Sequence, residues 1–245
     1  MKAQRSQRRK EQARDDDFDL TRHYSMRCLN EHIATRANEE DGCTGRFWEG
    51  RFKSTALLDP SAVIAGLIYV DLNPVRAGAA ETPEASDFTS GQDRIVARQA
   101  RKKLKRLKKE KKRSETKGEL TPEQAELVES VKRELTRDDW LSSFGSTSIE
   151  GESNTFLNMD LDDYLELLDW TGRQVREGKR GKIPGHLAHI LERLEIEADA
   201  WVHTVLHFGK LFHRVAGKVQ SILTATQRAG QKWLRGKPNA REVFG

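Results

Sequence analysis

The chain has few of the features that stabilise or anchor proteins outside the cytoplasm. Its 245 residues include only two cysteines, Cys28 and Cys43, which excludes a disulfide framework and indicates reduced thiols. It has no apolar run near the roughly 18 residues that a membrane-spanning helix needs, and its first ten residues are mostly polar and basic. These absences predict a cytoplasmic protein without a signal peptide or a transmembrane helix.

Apolar residues are also scarce. Hydrophobic residues make up 36% of the chain and charged residues 33%, which predicts solvated segments around modest cores in one or two domains. The glycines Gly42, Gly45 and Gly50 do not have the spacing of a phosphate-binding loop, and no Ser-His-Asp arrangement can be read. The sequence therefore gives no sign of a nucleotide-binding enzyme or a serine hydrolase.

The histidines lack the closest spacing at which a strand holds a metal. None of the seven lies two residues from another. His203 and His207 are four apart, and His186 and His189 are three apart, so each pair can share one face of a helix. Their apolar neighbours favour a helical surface or core role over a metal site.

A dense basic run is the clearest feature that is present. Eleven of the sixteen residues from 98 to 113 are Lys or Arg, and Glu110 is the one acid among them. Such density is typical of a surface that binds nucleic acid or another polyanion, although a solvated linker helix has the same pattern. The candidate DNA-binding residues in this run are Lys102, Lys103, Lys105, Arg106, Lys108 and Lys109.

A second basic segment interleaves cations with aromatic residues. Single-stranded DNA is bound by this combination, because bases stack on aromatic rings while phosphates pair with cations. The alternative is that the aromatic residues pack the domain and the charges point outward. The cations are Arg46, Arg51 and Lys53, and the aromatic residues are Phe47, Trp48 and Phe52.

A third candidate group follows an apolar run. Asp59 and Pro60 predict a helix start, and Pro74 predicts its end. Tyr69 lies one helical turn before Asn73, and Arg76 follows the break. A phenol, an amide and a guanidinium suit covalent chemistry on a phosphodiester, but a tyrosine in an apolar run also suits a core.

Residues 45–54, 69–78 and 86–90 together resemble the tyrosine transposases of the REP-associated, insertion-sequence-200-like group, which are HUH enzymes of bacterial mobile elements. The resemblance covers about residues 20–95, and residues 160–235 resemble the C-terminal extension of a longer branch. It implies that Tyr69 is the nucleophile that cuts single-stranded DNA, and that Asn73 is a third metal ligand for Mg²⁺ or Mn²⁺. It also implies single-stranded or hairpin DNA as the partner, an additional DNA contact at Arg76, and a possible homodimer.

The chain departs from that family at the metal site. The family holds its metal through a His–hydrophobic–His pair on a strand upstream of the helix expected near Leu20, and this chain has no such pair. We therefore expect an N-terminally truncated copy, a misassigned start or a disrupted gene, with no metal bound and DNA binding at most. Two other hypotheses are a non-enzymatic nucleic-acid-binding protein acting through the basic run, and a helical protein-interaction module formed by residues 160–235.

These patterns predict a mainly α fold with a remnant of an α+β, ferredoxin-like HUH domain and a C-terminal helical bundle. The predicted segments are a disordered N-terminus (1–17), a partial catalytic domain (18–95), a basic helix and linker (96–158), a helical domain (159–235) and a tail (236–245). A strand is expected over 52–58. A long helix is expected from about residue 198 to about residue 229. Residues 160–235 are expected to fold without the rest.

Overall fold

The computed structural model describes residues 24–113, 122–144, 157, 159–175, 190–192, 194, 196–230 and 237–244. The predicted N-terminal segment 1–17 lies outside this part of the chain. The described helices are α1 (residues 24–40), α2 (Pro60–Asp71), α3 (Asn73–Arg76), α4 (Ser90–Arg113), α5 (Pro122–Leu135), α6 (Leu161–Val175), α7 (residues 190–192 and 194), α8 (Ala198–Leu211), α9 (Val219–Arg228) and α10 (Lys237–Phe244). A 3₁₀ turn covers Pro83–Ala85, and the strands are β1 (Ala56–Leu57) and β2 (Val215–Ala216). The mainly α prediction is confirmed.

Three elements differ from their predictions. The long helix expected after residue 198 is interrupted, because β2 lies between α8 and α9 and pairs in parallel with β1. Residues 237–244, expected to be part of a tail, form α10, on which Ala240 and Phe244 are buried. The strand expected over 52–58 is reduced to two residues.

One hydrophobic core joins the N-terminal and C-terminal halves. Helix α2 buries Ile64 and Ile68 in the same cluster as Trp201 and Val205 of α8. The core therefore extends across the predicted boundary at residue 159. The division into independent segments stays a prediction, but apolar residues of the predicted segments 18–95 and 159–235 belong to the same core.

The strand pair fixes the start of α2. Ala56 is paired with Val215, and the Asp59 carboxylate caps α2 by accepting from the Ala62 amide at 3.0 Å. The other Asp59 oxygen accepts from the Lys218 amide, at 2.6 Å. One carboxylate therefore terminates a helix and also holds the segment after β2.

The end of α2 is held by a buried carboxylate. Asp71 is 1% exposed and accepts a hydrogen bond from the Tyr164 hydroxyl at 2.6 Å and from the Ser90 hydroxyl at 2.8 Å. A Cβ on Gly91 would lie 3.0 Å from the same carboxylate, so the close approach of α4 favours glycine there. These contacts join α2, α4 and α6 at one point.

Helices α4 and α5 form a hairpin that projects from this point. Ala97, Ala100 and Val131 are buried between the two helices. At the base of the hairpin the Arg137 guanidinium pairs with Asp93 at 2.7 Å. The turn after α5 is therefore tied to the first turns of α4.

We expect the isolated fragment 159–245 to lack a cooperative thermal transition. The fragment loses Ile64, Ile68 and Leu72, and burying each such side chain contributes about 1.5–3 kcal/mol. Circular dichroism of the fragment and of the full chain measures this. A fragment that melts as sharply as the full chain would show that this C-terminal part folds alone, as the sequence analysis expects of residues 160–235.

Within the full chain, Ile68→Ala and Val70→Ala form a matched pair for the same question. Ile68 is fully buried in the shared core, whereas Val70 on the same helix is 60% exposed. We expect Ile68→Ala to lower the free energy of unfolding by about 2–4 kcal/mol and Val70→Ala by well under about 1 kcal/mol. Similar losses in both variants would contradict the shared core.

Tyr164→Phe should destabilise the protein by about 1–3 kcal/mol at neutral pH, because the buried Asp71 carboxylate loses a donor. Burial, and then the Asp71 charge, raise the pKa of Tyr164 well above its ordinary value. The folded protein therefore retains a phenol proton that the unfolded chain releases above about pH 10, so this contribution to stability is lost as the pH rises.

Urea denaturation from neutral pH to about pH 11 measures this effect. The difference in unfolding free energy between the native protein and Tyr164→Phe should shrink at high pH. Tyr24→Phe is the control, since Tyr24 is 70% exposed. A difference that stays constant with pH would contradict the role of the Tyr164 proton.

Candidate nucleic-acid interface

The basic run forms the outer side of α4. Thr89 starts this helix by accepting from the Gln92 amide at 3.2 Å, and Lys and Arg are good helix formers. The 24 residues of α4 extend over about 36 Å. Leu104 and Leu107, on the side of the buried Ala97 and Ala100, are half-buried.

All six candidate cations of this run are exposed, and we call them the basic stripe: Lys102, Lys103, Lys105, Arg106, Lys108 and Lys109. Four of them share one side of the helix, opposite the side that carries Ala97 and Ala100, because they are three, four and seven residues apart. These four are Lys102, Lys105, Arg106 and Lys109. Among the described residues, none of the six forms an ion pair. The stripe is therefore a row of like charges whose mutual repulsion a polyanion would relieve.

Two other cations of the run have structural partners. The Arg101 guanidinium pairs with the buried Asp138 at 2.6 Å, and Arg98 pairs with Asp162 of α6. These pairs hold α4 against the turn after α5 and against α6. From residue 98 to residue 109, the cations of the run thus divide into two that fix the helix and six that face the solvent.

The aromatic and basic segment lies beside α1. Arg46, Arg51 and Lys53 are exposed. Phe47 and Trp48 are 41% and 40% exposed, with their rings edge to face at 4.8 Å. The Trp48 indole donates to the Asn30 carbonyl at 2.9 Å, which fixes the segment while leaving part of each ring accessible.

Tyr69 is packed between the two halves of the chain. Its ring is half-buried, 5.5 Å from the Phe208 ring, and the Arg76 guanidinium lies over it at 4.6 Å. A Cβ on Gly209 would lie 2.9 Å from the Tyr69 hydroxyl. The structure therefore brings Tyr69 and Arg76 together, but it places them against α8.

Asn73 does not join this group. It is exposed in the first turn of α3, and none of the described side-chain contacts connects it with Tyr69. The described parts of the chain also contain no group of three or more His, Cys, Asp or Glu that is placed to hold a metal ion. The residues around Tyr69 therefore do not supply the ligand set of two histidines and one amide that the transposase resemblance implies.

Arg76 reaches a kink in α8. Its Nη2 donates to the Leu206 carbonyl at 2.6 Å, and the next residue, His207, has a non-helical conformation with φ −118°. A side chain that inserts into the helical hydrogen-bond ladder is a recognised cause of a kink. His203 and His207 face each other here with ring centroids 4.8 Å apart. Their spacing was visible in the sequence, but their proximity to Arg76 was not.

Comparison with known proteins gives no relative from which a function can be transferred. No family model matches the chain, no curated protein matches it, and no solved structure matches it. None of the described helices is both long enough and apolar enough to cross a membrane. The function must therefore be argued from the residues described above.

Tyr69→Phe and Tyr69→Ala should separate packing from hydroxyl chemistry. Tyr69→Phe keeps the ring contacts with Phe208 and Arg76, so its unfolding free energy should stay close to that of the native protein. Tyr69→Ala removes these contacts and should lower the unfolding free energy by about 2 kcal/mol. Urea denaturation measures both. Gly209→Ala should resemble Tyr69→Ala in direction, since its methyl group displaces the tyrosine hydroxyl. Equal stability of Tyr69→Ala and the native protein would contradict the packing role.

Proposed function

We propose that this chain is a DNA-binding protein of the tyrosine-transposase type that binds single-stranded or hairpin DNA through the basic stripe. The observation that carries the proposal is the exposure of six cations on α4, four of them along one side, with no ion-pair partner among the described residues. DNA supplies phosphates in a row, and binding them releases condensed counterions.

The exposed segment around Trp48 supports a second contact with the same DNA. Its half-exposed rings can stack on bases, and Arg46, Arg51 and Lys53 can pair with phosphates. Stacking makes this contact more sensitive to base identity than the stripe. Arg76, in contrast, is engaged with Leu206 and Tyr69.

We further propose that this chain binds DNA without cutting it. Cleavage by Tyr69 would need its hydroxyl to face a scissile phosphate beside a metal ion. Two observations favour binding without cleavage. Its ring is packed against Phe208 and Arg76, and the residues around it do not fit the family's ligand set. Hairpin DNA incubated with the protein and Mg²⁺ or Mn²⁺ tests this, because a covalent adduct that disappears in Tyr69→Phe would establish cleavage.

The runner-up is a nucleic-acid-binding protein unrelated to transposases that uses the same stripe. It predicts equal affinity for hairpin and unstructured DNA, whereas the transposase-type protein should favour hairpins. A homodimer and a cytoplasmic location belong to the first proposal. The exposed Leu29 and Ile33 on α1, 51% and 38% exposed, are consistent with a pairing surface.

The stripe predicts a steep salt dependence of DNA binding. Each phosphate neutralised on a single strand contributes about −0.7 to the slope of log affinity against log salt, so engaging roughly half of the eleven cations gives about −4. Replacing the six stripe residues by Gln should flatten the slope and weaken binding to all sequences alike. Fluorescence anisotropy across a salt series measures this.

Two variants control for this experiment. Replacing the five stripe lysines by Arg keeps the charge and the helix propensity, so the native slope should persist. Arg46→Ala should have a smaller effect, because it removes a single phosphate contact outside the stripe. An unchanged slope and affinity in the six-Gln variant would show that the run is only a solvated helix.

A further inference from the structure

A second cationic cluster lies at the junction of α2 and α8, away from the basic stripe. His203, His207 and Lys210 are four and three residues apart on α8, and Arg76 reaches the same helix from the other half of the chain. His203 and Lys210 are exposed, and His207 and Arg76 are half-buried. The cluster is therefore open to solvent on one side.

Arg76 is only partly satisfied in this position. Its Nη2 donates to Leu206, while its Nη1 is buried with no acceptor among the described residues. The Tyr69 ring beneath the guanidinium supplies no oxygen acceptor to it. A buried guanidinium nitrogen without an acceptor is uncommon and marks a place for a water molecule or an ion.

Among the described residues, the charged groups that act on the pKa of His207 are all cations. Desolvation lowers the pKa of His207, and the nearby His203, Lys210 and Arg76 lower it further. The acid on this side of α8 is Asp199, one turn before His203, and no ion pair between the two is among the described contacts. Because these cations disfavour the charged form of His207, a bound anion would relieve their mutual repulsion.

We propose that Arg76, His207, His203 and Lys210 form a binding site for an oxyanion of the phosphate class. The guanidinium and the imidazole groups offer directional N–H donors, and Lys210 offers a mobile positive charge. The absence of a Cβ at Gly209 leaves room for the Tyr69 hydroxyl, which can serve as a neutral donor at the edge of the site. The kink at His207 directly follows the Leu206 carbonyl that accepts from Arg76.

This site does not depend on DNA binding by the basic stripe. A free phosphate and a phosphate of a DNA backbone share the chemistry that these side chains recognise. The two sources differ in charge and in access, so the test uses inorganic phosphate and a thymidine dinucleotide with a single phosphodiester as separate probes.

The experiment follows the histidine ring protons of the full chain by NMR during titration with each probe. An anion held beside His207 favours its charged form, so bound phosphate should raise the pKa of His207. His207→Gln and Lys210→Gln should each weaken the measured affinity for the bound probe by roughly threefold to tenfold. Lys210 is exposed and His207 is half-buried, and neither belongs to the hydrophobic core, so these variants test the site without removing core contacts.

His213→Gln is the matched control, because His213 is exposed at β2 and its backbone carbonyl, not its ring, accepts from Thr55. It should bind both probes like the native chain. Binding of the dinucleotide as well as phosphate identifies a DNA backbone as a source, and binding of phosphate alone identifies a free anion. Either result supports the site when His207→Gln weakens the binding.

The proposal is overturned if neither probe shifts the His207 resonances, or if His207→Gln and Lys210→Gln bind as tightly as the native chain. It is also overturned if binding disappears in the six-Gln variant of the basic stripe, which leaves this cluster intact. Loss of DNA affinity in that variant with retained phosphate binding would support both sites separately. Failure of one proposal is thus distinguishable from failure of the other.

Discussion

The fold depends on the buried carboxylate of Asp71. Asp71 is enclosed at the end of α2, where Tyr164 of α6 and Ser90 of α4 donate to it. A carboxylate removed from water is strongly destabilising unless such donors replace its hydration, so these contacts are obligatory once the helices pack. Because α4 starts at this point, the carboxylate also fixes the direction in which the basic stripe leaves the core.

The two ends of α2 together connect the halves of the chain. At its start, Asp59 caps the helix and holds the Lys218 amide after β2; at its end, Asp71 holds α4 and α6. Between these ends the apolar face packs on α8. Because α2 has polar anchors at both ends and an apolar middle, both its direction and its position along its own axis are fixed. Tyr69 and Arg76 are therefore held against the kink of α8.

Local patterns in the sequence predicted the parts of this arrangement that depend on neighbouring residues. The start of α2 follows from Asp59 and Pro60, and the exposure of the basic stripe follows from charge density alone. The pairing of β1 with β2 was missed, since two residues carry no readable alternation and the partner lies about 160 residues away. The shared core was missed for a related reason: the sequence shows an apolar run in α2 and an apolar face on α8, but not that the two helices meet.

The same limit explains how the candidate site was interpreted. Spacing placed Tyr69 near Asn73 and Arg76 and left His203 and His207 as an ordinary helical pair. The fold instead separates Asn73 from the group and brings α8 to Arg76. Arg76 is held on one side by the Tyr69 ring and on the other by the Leu206 carbonyl, so its position is set by both halves of the chain. Any anion bound there would therefore contact both sides of the shared core, and its affinity would report on whether α2 and α8 remain packed.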